Sequence, residues 1–184
     1  MPLEFTTSYA KESVDVLKHY KRLVERALEQ APDEALTAAL DAESNSITVI
    51  VKHMAGNMRS RFTDFLTSDG EKPDRNRDTE FEAPPQSRVE LTALWEAGWK
   101  YVFDALAPLT DGDMTRSVMI RGEAHSVMQA INRQIAHYSY HVGQIMFLAK
   151  HFAAKRNGWT AVTIPRGKSA DFTARVAAGK ASQP

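Results

Sequence analysis

One stretch of this chain constrains the fold more than any other. From Ile131 the apolar residues Ile135, Tyr138, Val142, Ile145, Ala149 and Phe152 follow at alternating steps of four and three. That spacing keeps a single stripe on one side of an α-helix, the heptad-like seam by which a helix packs into a bundle. Ser126 and Gln129 stand just before it with capping-box spacing: the serine takes an orphan N–H and the glutamine reaches back. The spacing therefore predicts a long helix opening at Ser126.

Three other stretches carry helical periodicity, and clear breaks separate them. The first runs from about Ser8 to Ala31, with Leu17, Tyr20, Val24 and Ala27 as its stripe and Pro32 as its stop. A short helical turn over Asp33 to Leu40 follows. The second covers about Ser44 to Thr67, where Ile47, Ile50, Val51, Met54, Met58, Phe62 and Phe65 form the apolar side; Ser68, Asp69, Gly70 and then Pro73 end it. The polar run over 71–86 is too long for a tight turn and too charged for a core element, so it reads as a crossover. A third helix opens after Pro84 and Pro85 with a second capping-box pair, Ser87 and Glu90. It carries Leu91, Leu94, Trp95, Val102, Phe103 and Leu106 and closes at Pro108. The segment Asp113 to Glu123 alternates weakly around a glycine and fits either a small hairpin or an extended loop.

No internal repeat or low-complexity tract interrupts this pattern. The expected architecture is all-α: a four-helix bundle with a long crossover between helices two and three and a short hairpin before helix four. The whole chain, 1–184, reads as one domain, with an ordered core over about 8–157 and an extended C-terminal tail over 158–184.

Composition matters chiefly for what it excludes. With no cysteine, the chain has no disulfide framework, thiol nucleophile or cysteine metal site. Lys and Arg total 23 against 23 Asp and Glu, which removes the electrostatic case for nucleic acid or an anionic membrane as partner. The opening residues lack a basic and an apolar region, and no apolar run approaches about 20 residues. A soluble, cytoplasmic protein is the expectation.

The six histidines are His19, His53, His125, His137, His141 and His151. His137 and His141 are four apart in the middle of helix four, so their rings lie one turn apart on one face. Two such imidazoles can close on one divalent ion. His53 lies mid-helix two on a face with Ser46, Gly56, Asn57, Ser60 and Asp64, where small and polar side chains leave room. Counted from the expected helix ends, His53 and the His137/His141 pair lie at equal depth, about 20 Å in at 1.5 Å per residue. If helices two and four are antiparallel, the three rings meet. The bland alternative is that each histidine is a hydrogen-bonded boundary residue. His19, His125 and His151 lie near helix ends or on polar faces and read as surface residues.

Helix two reads ESNSITVIVKHMAGNMRSRFTDFL, helix four reads AINRQIAHYSYHVGQIMFLAK, and the tail contains IPRGKS. These segments resemble the DinB/YfiT-like superfamily of metal-dependent proteins, most strongly at SNSI to HMAGN and at H-x-x-x-H-x-G-Q. The likeness covers about Tyr9 to Phe172. It implies a four-helix bundle, a divalent metal held by His53, His137 and His141, and a homodimer. Superfamily members of known activity are transferases or isomerases that use low-molecular-weight thiols. No thiol pocket is identifiable in this chain.

Three neutral imidazoles would leave an ion with an open position, the pattern of a catalytic site. Zinc or nickel suits them first, and copper or iron also fits. The leading expectation is a metal-dependent enzyme, a thiol-dependent S-transferase on small electrophiles or a hydrolase. The alternative is a non-catalytic helical dimer whose metal is structural or incidental, serving in stress response or ligand binding. Asn57 and Gln144 are one turn from His53 and His141 and either fix a ring or simply pack; Gln134 is a weaker candidate, and Asp64 reads as a structural carboxylate. The crossover charges Arg75, Arg77, Asp78 and Glu80 either cap the site or form a solvated loop, and the loop is the favoured reading because charge runs usually mean solvation. Trp95 and Trp99 read as core and interface.

Overall fold

Serine caps start all four long helices. In the computed structural model, which describes residues 8–155 and 158–181, Ser8, Ser46, Ser87 and Ser126 each accept a hydrogen bond from the backbone N–H three residues on. The helices they open are α1 (Tyr9–Leu28), α3 (Ile47–Phe62), α4 (Arg88–Leu106) and α5 (Val127–Ala154). A short α2 (Asp33–Thr37) follows α1, and β1 (Ser117–Ile120) with β2 (Glu123–Ser126) forms an antiparallel hairpin before α5. The fold is mostly helical with this one small sheet among the described residues. The weak alternation before helix four thus resolves as a hairpin.

α3 packs on α4, α1 on α5, and α3 and α5 meet across the middle. The pairs His53–His141 and Asn57–Tyr138 step in opposite directions along α3 and α5, so these two helices are antiparallel. α1 and α5 run the same way: Tyr9 Oη donates to Asn132 Oδ1 at one end, while Arg26 and Gln30 reach Val162 and Thr160 beyond the other. Leu17, Met54, Met58, Leu91, Trp99 and Tyr138 fill the shared core. Gly98 lets α3 and α4 approach closely, since a Cβ there would stand 3.0 Å from Met58 Sδ and 3.1 Å from Ala55 Cα. No helix among the described residues is long and apolar enough to cross a membrane.

The structure departs from the sequence reading in four places. Helix two stops at Phe62 rather than Thr67, because Thr63 is extended and Asp64 turns through φ 47°. Asp64 C=O then accepts from both Thr67 and Ser68 N–H, which closes a turn in place of a further helical turn. Only half of the expected capping box forms at Ser87: the Glu90 carboxylate takes the N–H of Gln86, one residue earlier. The box at Ser126 and Gln129 forms in full. The inner face of α5 is wider than its seam, adding Val127, Ala130, Gln134, His141 and Leu148 to the buried set.

The fourth departure is in the tail, which contains a helix, α6 (Ser169–Ala177). Val162 is buried before it, and nothing in α6 is. The proposed core and tail boundaries at 157 and 184 fall outside the described residues.

Candidate metal centre

His53 faces inward from the middle of α3, and the antiparallel packing brings it against the two histidines of α5. His53 Nε2 lies 3.3 Å from His137 Nε2, and one ring nitrogen from each of His53, His137 and His141 lies within 4.8 Å of the others. The three rings meet edge to face, with centroids 4.8 to 5.4 Å apart. His19, His125 and His151 are half-buried elsewhere and none joins the group. The equal-depth count does not survive the early end of α3, since His53 stands nine residues before Phe62. The rings still meet, because the turn after α3 and the hairpin before α5 fill the end of the molecule where a longer helix was expected.

The outer nitrogens fix the direction of the inner ones. His53 Nδ1 lies 2.8 Å from Glu80 Oε2, and His141 Nδ1 lies 2.8 Å from Gln144 Oε1. Both partners are acceptors, so each Nδ1 carries the proton and donates, leaving each Nε2 as a lone pair. His141 Nε2 is buried without any hydrogen-bond partner. A lone pair hidden from water and aimed at two other imidazoles is costly unless something electrophilic satisfies it. Three nitrogens at about 2.0–2.1 Å from a tetrahedral ion stand roughly 3.3 Å apart, the spacing of the His53–His137 pair. The donor set therefore fits a divalent ion.

Burial also keeps the two rings on α5 neutral. It pushes His137 down to about 3, helped by the neighbouring His141 and His53, and lowers His141 to about 4 against the opposing bond to Gln144. Near neutral pH both are imidazoles able to ligate a metal.

The crossover supplies what the sequence reading assigned to solvent. Its single 3-10 turn, Asp78–Phe81, carries Glu80 into the interior, and Phe81 stacks on the His53 ring at 4.9 Å. Arg75, with only 3% of its side chain exposed, forks onto Glu80 through Nε at 2.7 Å and Nη2 at 3.0 Å. Burial pushes the Glu80 carboxyl up, but the bonds from His53 and Arg75 outweigh it and the net shift is down. The favoured solvated-loop reading of this segment is thus corrected, because an ion pair that satisfies both partners lets two charges leave water together.

Gly56 makes room for this. A Cβ there would stand 2.4 Å from Glu80 Oε1, so the space beside His53 belongs to the carboxylate. Glu71 continues the chain of charges, taking Arg61 and Arg121 at 2.9 Å each.

The other candidates sort themselves by contact. Gln144 holds a ring, whereas Asn57 Oδ1 accepts from Tyr138 Oη and holds no histidine. Gln134 is buried beside the site, and Asp64 is an exposed turn residue. Trp95 and Trp99 are core residues.

Residues 4–168 match a family described as "Protein of unknown function (DUF1572)". The chain belongs to this family. The DUF1572 match spans the three histidines, Glu80 and Gln144, and it stops at Lys168, one residue before α6. It establishes kinship and brings no activity with it. No curated protein and no solved structure matches the chain.

Proposed function

We propose that this protein is a metal-dependent enzyme built on a four-helix bundle of the DinB/YfiT kind, with His53, His137 and His141 holding one divalent ion, zinc or nickel. The observation that carries this reading is the buried, unpartnered Nε2 of His141 beside two further imidazoles, with Glu80 and Gln144 orienting two of the three rings. A cavity of about 400 Å³ opens in front of His53 and His137, which favours a site that admits a ligand over a closed structural one.

A divalent ion there would supply positive charge that favours the deprotonated form of a small acid such as water or a thiol. The chain's own residues do the rest. Glu80 holds the His53 ring in the tautomer that presents Nε2, and Arg75 keeps Glu80 ionised and in place. Gln144 does the same for His141. Phe81 and Tyr140 lie against the rings and limit water on two sides. We assign thiol-dependent transfer to a small electrophile as the reaction class, on the likeness to DinB/YfiT transferases, and with it a cytoplasmic homodimer.

Metal content by mass spectrometry on protein made without a metal-affinity tag tests the site. About one ion per chain, lost in His53→Ala, is the expected result; no ion in either protein after reloading with zinc and nickel overturns it. Turnover of a panel of electrophiles with low-molecular-weight thiols then tests the reaction. Full metal without thiol-dependent turnover would leave the structural-metal reading in its place.

A further inference from the structure

The cavity in front of the histidines is lined by five arginines, Arg61, Arg75, Arg77, Arg121 and Arg133, and by no carboxylate. Behind its wall stand two carboxylates, Glu71 and Glu80, and both are shared among Arg61, Arg75 and Arg121. Arg77 lies over the Phe81 ring at 5.0 Å and makes no ion pair among the described residues. Arg133 is exposed and makes no ion pair among the described residues. The whole chain balances 23 cations against 23 anions, so this excess is a local concentration rather than a property of the composition.

Two buried side-chain atoms on the same wall also have no hydrogen-bond partner among the described residues. Gln134 is 3% exposed with Oε1 unbonded, and Arg61 is 5% exposed with Nε unbonded. The hairpin tip is held so as to deliver another guanidinium. Asp69 accepts the backbone N–H groups of Arg121 and Gly122, and Arg121 sits at φ 56°, a left-handed conformation that a non-glycine residue adopts only when its surroundings hold it there.

We propose that this cavity binds a small organic anion, with Arg77, Arg121 and Arg133 taking its carboxylate or phosphate head group. Guanidinium forks match both oxyanions with paired, charge-assisted hydrogen bonds. The free Oε1 of Gln134 is an acceptor, so it would take a hydroxyl or N–H donor elsewhere on the ligand and not the anionic head group. A ligand anchored at the arginine rim would extend its other end toward His53 and His137. That orientation rests on the metal reading above, while the grip on the anion does not.

The test is calorimetric titration of the full chain with inorganic phosphate and with succinate at constant ionic strength, on chelator-stripped and zinc-loaded protein. Wild type is compared with Arg77→Gln/Arg133→Gln, two exposed positions outside the histidine group, and with Lys150→Gln/Arg166→Gln as a control away from the cavity. We expect saturable binding of at least one probe, at least tenfold weaker in the first double variant and unchanged in the control. Binding of phosphate alone points to a phosphate ester, and of succinate alone to a carboxylate; either upholds the site. Non-saturable uptake of both probes, or equal binding by the cavity variant, overturns it. Saturable binding without zinc uptake upholds the anion site and defeats the metal reading, and zinc uptake without saturable binding does the reverse.

Discussion

At the scale of single residues the site depends on a carboxylate that the sequence hides. His53, His137 and His141 were legible because helical spacing alone puts two of them on one face and the third on a polar patch of another helix. Glu80 was not, because nothing local distinguishes it from Asp78 or Glu82; its burial depends on Arg75 and on the missing side chain of Gly56. Glu80→Gln keeps an acceptor near His53 but removes the charge. Zinc affinity should fall by about 10- to 100-fold, the usual cost of losing such a partner. Gly56→Ala should cause a similar loss by pushing Glu80 away, and competition with a chelating dye measures both.

The histidines also predict a pH response in metal-free protein. The folded state holds His137 and His141 neutral down to about 3 and 4, whereas the unfolded chain protonates them near 6.5. Between those values the unfolded state binds more protons, so stability is complete above about 6.5 and declines as pH falls toward 4. The urea midpoint should be lower at pH 5 than at pH 7, and His137→Gln/His141→Gln should flatten that difference. An equal slope in the variant would assign the decline to other groups.

At the scale of elements, periodicity located every long helix, while the ends and the crossover needed tertiary information. The end of α3 was missed because Phe65 continues the apolar rhythm, yet the chain turns at Thr63 and Asp64 and packs Phe65 on Phe62 from a turn instead. The hairpin is fastened to the crossover by Asp69, which accepts from Glu71, Arg121 and Gly122 N–H, and by Gly70 N–H donating to Met119 C=O. Asp69→Ala removes three acceptor contacts at a partly exposed turn and should cost on the order of 1–2 kcal/mol. Amide exchange should quicken at 119–122 while the middle of α5 keeps its protection. Uniform quickening would mean that the clip supports the whole fold instead of its own corner.

For the molecule as a whole, the polar stretch after α5 divides into two parts of different weight. Residues 159–162 are tied to α1 through Arg26 and Gln30, and Val162 is buried, whereas α6 buries nothing. A chain ending at Lys168 should therefore keep its melting temperature within a few degrees and its full metal content. A chain ending at Lys155 should melt well below it, because it exposes the surface that Trp159 and Val162 cover. Thermal melts with metal analysis on both truncations decide this.

The two facing ring nitrogens of His53 and His137 belong to residues 84 positions apart. In polymer terms, an ion shared between them would be a reversible crosslink closing a long loop in a chain that has no cysteine for a permanent one. A permanent tie across a loop of that length restricts the unfolded ensemble by about 4–5 kcal/mol on the chain-entropy account. The histidines on α5 are also the last of the three to leave the ribosome, so a nascent chain stopped before residue 137 has no second ring to share. Ion uptake would thus report that synthesis had reached the middle of α5, and loss of the ion would untie α3 from α5 in one step.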